Sequence, residues 1–571
     1  MKKILCFAIV AVAVACLLTG CTGKSSVSQA ETYSGYIVDV AGNRIFKGEI
    51  GVAAGIIVSI TEKDSVADRY IAPGLIDAHV HIESSMLTPG EFAREAVKHG
   101  TVAAVSDQHE IANVLGMQGV RFMIENSRKV PFKFSFGAPS SVPATVFETS
   151  GAALGVEEVT ELLAMPEIGY LAEMMNYPGV ISGDFEVHQK IAAAQKAGKP
   201  IDGHAPGITG ADLQKYAAAG ITTDHESFTL DEALEKLSLG MKILIREGSA
   251  AKNFNTLHPL IKTHPDMIMF CSDDIHPDDL VKGHINLLVK RALNEGYDLL
   301  SVLRISSYNP VKHYNLPVGL LQLGDAADFI IFNNPEQFEI QEVYINGSKV
   351  AERGVSHIKP IGETPLNAFG ANKISIADIE VPALAKQIKV IDIVPDELIT
   401  KQSIMPANVV NGKVASDVKN DVLKIVMLNR YQPAKPVVAF IRNSGLKSGA
   451  IASSVVHDSH NIICIGADDR SIVEAVNAIV EAKGGISASR DGVASVLPLP
   501  YGGLMDNRAA AAMAQDYERL DAEAKAMGTT LSAPYMTLSF MGLLVIPELK
   551  LSDMGLFDVE KFEFVDLFAG D

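Results

Sequence analysis

From residue 73 onward the chain alternates short apolar runs with amphipathic stretches. The runs are GLIDAHVHIE, GTVAAVSDQHE, FKFSFGAPSS, IGYLAEMMN, KPIDGHAP, GITTDHES, MKILIREGS and MIMFCSDD. Between most of them lie segments such as PGEFAREAVKHG, VHQKIAAAQKAG, ADLQKYAAAG and LDEALEKLSLG. These carry apolar residues at helical spacing and often end in glycine, a helix stop. Eight strand-like runs alternating with helices over roughly 200 to 250 residues predict an α/β fold built on a (β/α)8 barrel, here residues 73–315.

The polar residues of these runs fall at one end. In order they are His79 and His81, Glu110, Glu173, His204, His225, Arg246 and Glu247, then Asp273 and Asp274. Barrel enzymes carry their chemistry at the C-terminal ends of the strands, so this placement marks a site. Residues 33–72 and 316–355 read as short strands and turns. They are predicted to pair into a small composite β-domain flanking the barrel. A linker around 356–370 leads into a C-terminal α+β domain, residues 365–571, in which KIVMLNR, PVVAFIRN and HNIICIG read as strands.

The N-terminus has its own logic. Lys2 and Lys3 precede an apolar run over residues 4–18, too short to span a bilayer comfortably, and Leu18-Thr19-Gly20-Cys21 has the form of a lipobox. Residues 1–21 are therefore expected to be a lipoprotein signal peptide, with Cys21 lipidated and residues 22–32 a polar tether. That predicts a lipid-anchored protein of the cell envelope, with membrane contact only through the anchor. An unused signal would leave the protein in the cytoplasm, and an ordinary signal peptide or anchor is the alternative. With Cys6 and Cys16 in the signal, only Cys271 and Cys464 remain, too few for a disulfide framework. A net charge of −19 without a basic stripe excludes a nucleic-acid-binding function.

Histidines two apart on a strand point to the same side, so His79 and His81 can converge on one metal ion. Alone, the pair serves hydrogen-bonded structure equally well. With Glu173, His204, His225 and Asp273 at later strand ends, the donor set suits Zn, Mn or Fe, and a central carboxylate can bridge two ions that share a water. Asp273 is preferred over Asp274 as the first acidic residue of SDD. His109 is expected to face away from Glu110 on an extended strand and to be structural. Ser84, Ser85, Arg246, Glu247 and His284 are pocket candidates, which salt bridges and loop hydrogen bonds explain equally well. His457 and His460, in SSVVHDSHN, either close over a substrate, bind a further ion or hydrogen-bond within a loop.

This series resembles the amidohydrolase superfamily and, more narrowly, the bacterial adenine deaminases. The matching stretches include PGLIDAHVHIESSMLTP, HEIANVLG, VPATVFETSGA, DGHAPGITG, REGSAAKN and MTLSFMGLLVIPELKLSDMGLFDV. The resemblance implies hydrolysis of adenine to hypoxanthine and ammonia, by attack of a metal-bound hydroxide on purine C6. His79 and His81 would hold one ion with Asp273, His204 and His225 the second, and Glu173 would stand where the family bridges with glutamate. Asp273 would move the hydroxide proton to the departing amine. Glu110 is the candidate acid for purine N1, with orientation of a metal-bound histidine as its alternative. Mn or Fe is favoured for the two divalent ions, and the shell also admits Zn. Homodimers are common among such barrel enzymes. Departures occur in VAAVSDQHE, SYNPVKHY and PLPYGGLMDN, and they leave room for a changed purine preference. A related enzyme acting on another aminopurine or cyclic amide is the first alternative. A purine-binding lipoprotein without catalysis is the second, and the complete ligand set argues against it.

Overall fold

Eight parallel strands frame the site. In the computed structural model, which describes residues 30–249, 251–395 and 397–570, Leu75–Val80, Thr101–Ser106, Lys133–Ala138, Ile168–Met174 and Ile201–Gly203 pair in that order. Thr223–Asp224, Lys242–Arg246 and Ile268–Cys271 form a second parallel arc. One seam between the arcs closes through Thr222 N to Ile201 O at 2.9 Å. The other closes through Asp273 N to His79 O at 2.9 Å and His81 N to Asp273 O at 3.1 Å. The expected barrel is therefore present, with each strand drawn from the run that predicts it. Its strands are buried almost throughout, as a parallel sheet covered on both faces requires. The expected signal peptide with Cys21, and residues 22–29 of the expected tether, lie outside the described residues.

Beneath the barrel lies an eight-stranded sheet. Its order is Val355–Ser356, Ser348–Glu352, Ile340–Ile345, Phe329–Phe332, Tyr70–Pro73, Glu31–Asp39, Arg44–Ala53 and Ile56–Glu62. Tyr70–Pro73 pairs antiparallel with Phe329–Phe332 and parallel with Glu31–Asp39. Chain from both sides of the barrel thus shares one sheet. Its buried face is aromatic: Phe329 stacks on Tyr344 at 4.4 Å, and Tyr33 meets both edge-on.

The last third of the chain builds another eight-stranded sheet, ordered Thr400–Pro406, Gln387–Ile393, Val437–Arg442, Val422–Leu428, Ile462–Gly466, Ala450–Ser453, Gly485–Arg490 and Val493–Pro498. All neighbours are antiparallel except Gln387–Ile393 with Val437–Arg442. Helix Asp469–Ala482 packs an apolar face on this sheet. The stretch 357–375 has no regular structure but is pinned: Arg430 Nη2 donates to Asn367 Oδ1 at 2.9 Å, and Gly370 N donates to Arg430 O at 2.7 Å.

A buried lysine ties the ends of the fifth and sixth barrel strands. Lys236 Nζ donates to Ala205 O, Asp224 Oδ2 and Glu232 Oε1, each at 2.8 Å. Asp224 Oδ1 in turn accepts from Ala205 N at 3.1 Å. This network fixes the segments that carry His204 and His225. Lys236→Met would strand two buried carboxylates, so a loss of about 3–5 kcal/mol is expected. The urea midpoint of the purified protein measures it, and a shift worth under about 1 kcal/mol would contradict this account of the network.

Candidate metal centre and active site

The first barrel strand ends at Val80, and its period of two turns His79 and His81 to the same side. Their Nε2 atoms lie 3.2 Å apart, and both side chains are buried. His81 Nδ1 faces Asp107 O at 3.2 Å. That contact places the ring proton on Nδ1 and leaves the Nε2 lone pair pointing inward. His81 Nε2 sits 3.3 Å from Glu173 Oε1 and 3.2 Å from Asp273 Oδ1, and His79 Nε2 is 3.4 Å from Asp273 Oδ1.

Glu173, at the end of the fourth strand, stands between two histidine pairs. Its Oε2 is 2.8 Å from His204 Nδ1 and 3.1 Å from His225 Nε2, while its Oε1 faces His81. His225 also stacks on His79 with ring centroids 4.2 Å apart. The six side chains expected to meet are therefore brought together. Their donor atoms form overlapping groups, each within 4.8 Å: His79, His225 and Asp273; Glu173, His204 and His225; and His81, Asp107, His109 and Glu173. His79 Nδ1, His204 Nε2 and His225 Nε2 are buried without a hydrogen-bond partner. Imidazoles and carboxylates converging in one buried volume fit divalent cations.

A small cavity opens over this cluster. Glu173, His204, Glu226, Asp273 and Asp274 line its floor, and Leu398, Phe540, Leu543 and Ile546 its apolar roof. Phe540 also stacks on His457 at 4.5 Å.

The amidohydrolase family model matches residues 70–350, and the adenine deaminase C-terminal domain model matches residues 397–563. A protein named adenine deaminase from Salinibacter ruber is 52% identical over 538 residues, covering 94% of this chain and 98% of that one. One of the same name from Methanosarcina mazei is 52% identical over 94% of this chain and all of that one. Another, from Borreliella burgdorferi, is 48% identical over 93% and 98%. The chain belongs to the adenine deaminase family. Within it, the amidohydrolase match contains every proposed metal ligand, and the C-terminal match contains His457, His460 and the roof.

Several placements differ from expectation. The second strand stops at Ser106, and His109 opens helix His109–Leu115. Strand alternation therefore does not apply. His109 turns into the cluster, with Nδ1 3.1 Å from Asp107 Oδ2 and 3.6 Å from Glu173 Oε1. Glu110 lies in the same helical turn, clamped by the C-terminal part of the chain. Its Oε1 is 2.5 Å from His457 Nδ1, and its Oε2 contacts His460 Nε2. Burial would raise the Glu110 pKa, yet His457, His460 and His109 hold it well below the usual carboxylate range. Burial would lower the His457 pKa, but Glu110 and Asp274 push it up to about 9.

None of the pocket candidates Ser84, Ser85, Arg246, Glu247 and His284 lines the cavity, but Ser84 and Arg246 hold carboxylates that do. Ser84 Oγ donates to Asp274 Oδ1 at 2.5 Å. Arg246 Nη1 bridges Glu226 Oε1 and Asp273 Oδ2, both at 2.5 Å. Burial would raise the Asp273 pKa, but Arg246 and hydrogen bonds from His79 and His81 hold it well below the usual value. Ser85, Glu247 and His284 do not line the pocket. Ser85 Oγ bonds to Ile82 O within its own turn. Glu247 turns outward to Arg291 Nη1 at 2.9 Å. His284 Nε2 faces Asp77 Oδ2 at 2.8 Å, with its Nδ1 2.8 Å from Thr101 Oγ1. Sequence reasoning passed over Glu226, although it follows His225 in DHES. It also passed over Asp107 and over Asp458, whose Oδ1 is 3.6 Å from His109 Nε2.

A divalent ion here would add positive charge among buried carboxylates, so stability is expected to track metal. Chelation should lower the thermal midpoint by several degrees, and added Mn²⁺, Fe²⁺ or Zn²⁺ should restore it. Calorimetry shows it, and an unchanged midpoint together with no bound metal would contradict a metal centre.

Proposed function

We propose that this centre deaminates adenine by hydrolysis, giving hypoxanthine and ammonia. The observation that supports it most is the position of Glu173, one oxygen toward His81 and the other toward His204 and His225, beneath apolar residues of the C-terminal part. His79, His81 and Asp273 would hold one divalent ion, His204 and His225 the other, with Glu173 between them. Mn or Fe is favoured and Zn fits the same donors. Such ions, when bound, supply a water activated near neutral pH.

The remaining steps belong to the chain's own residues. Asp273, kept ionised and oriented by Arg246, accepts a proton from the attacking water and passes it to the departing amine nitrogen. Attack at C6 moves electron density onto purine N1, which then needs a proton. Glu110 and His457 share one across 2.5 Å and deliver it there as a pair. The apolar roof excludes bulk water and strengthens these short contacts.

Asp273→Asn should lower kcat by about 10²- to 10⁴-fold with metal retained, measured as ammonia release from adenine. Glu110→Gln should do likewise, and near-normal turnover with both metals bound would remove its acid role. The decisive assay is adenine turnover by the signal-free protein reconstituted with Mn²⁺. Turnover of another aminopurine or a cyclic amide, with adenine inert, would displace the substrate. From the sequence we also propose that Cys21 carries lipid: fatty-acid labelling should be lost in Cys21→Ser, and labelling that persists would contradict the anchor.

A further inference from the structure

Lys550 lies in strand Leu549–Leu551, opposite Phe557 of Leu556–Asp558, and is fully buried. Among the described residues no carboxylate lies within ion-pair distance of it. Its Nζ instead donates to two backbone carbonyls, Leu398 O at 2.8 Å and Phe540 O at 3.0 Å. Burying an amine this way costs more than burying a methionine of similar length. The position of its two acceptors accounts for it.

Leu398 and Phe540 are far apart in sequence but adjacent in the roof. Both line the inner cavity over the metal cluster, and both also line an outer cavity with Ser249, His276 and Tyr517. The two residues are therefore shared by the two spaces and stand between them. The Leu398 segment is already fixed to the Lys550 strand, through Thr400 N to Pro547 O at 2.8 Å and Thr400 Oγ1 to Leu549 O at 2.9 Å. Lys550 adds the cross-link to Phe540.

We propose that Lys550 is a positioning residue that holds this partition closed by joining the Leu398 and Phe540 carbonyls. The proposal rests on the reading of the inner cavity as the adenine site. It accounts for an amine at a position that packing alone would give to an aliphatic side chain. Burial lowers the Lys550 pKa to about 7. A neutral amine still has two N–H donors, matching the two carbonyls, so the link survives in either protonation state.

The test compares metal-loaded wild type, Lys550→Met and Lys550→Arg in adenine turnover. Wild-type turnover first separates failure of the substrate assignment from failure of this proposal. Lys550→Met should raise KM about tenfold, with metal content unchanged and kcat altered less. Lys550→Arg, which keeps two donors, should recover most of that loss. A folded, metal-loaded Lys550→Met enzyme with the wild-type KM would overturn the proposal. Should that variant fail to fold, hydrogen exchange on the wild-type holoenzyme decides. Amides of 398–400 and 540–543 should exchange together and slow together with hypoxanthine. Independent exchange of the two segments would equally overturn it.

Discussion

Buried negative charge is the constraint around which this protein is organised. Glu173, Asp273, Glu226 and Glu110 are all withdrawn from water within one small volume. An isolated carboxylate there would be neutralised or would unfold its surroundings. Arg246 balances Glu226 and Asp273 directly, and imidazoles surround Glu173 and Glu110. The imidazole nitrogens that face Asp273 and Glu173 are where a divalent ion would add further positive charge. Such a cluster persists only on a rigid support, and strand ends of a closed barrel supply one. Even the outer shell follows this logic, since Lys236 neutralises Asp224 directly behind His225.

The two large parts of the chain contribute different halves of the site. The barrel supplies the floor, where charge is concentrated. The C-terminal part supplies the apolar residues Leu398, Phe540, Leu543 and Ile546, and brings His457 and Asp458 to the same lining. Between them, Glu110 of the barrel is gripped by His457 and His460 of the other part. A low-dielectric ceiling over a polar floor is the arrangement in which fixed dipoles act most strongly on a bound molecule.

The barrel was legible because its signal is local. Each buried parallel strand is a short apolar run, and each reactive residue follows where the run ends. His79, His81, Glu173, His204, His225 and Asp273 could be found this way. His109 could not, because it lies three residues past the end of the strand at Ser106 and already opens a helix. Arg246 and Glu247 were equal candidates in sequence, yet adjacent positions turn opposite ways, one to Asp273 and the other to Arg291. His284 is a buried histidine serving a structural carboxylate, and composition does not separate that from a ligand. The roof left no trace at all. Leu398 and Phe540 are ordinary apolar residues, and their importance arises only from contacts across more than a hundred positions.

The Glu110 clamp couples the two parts of the chain. Without the C-terminal part Glu110 would lack both imidazole partners, and without the barrel His457 and His460 would lack their carboxylate. A substitution at any one of positions 110, 457 and 460 therefore changes the electrostatic surroundings of the other two.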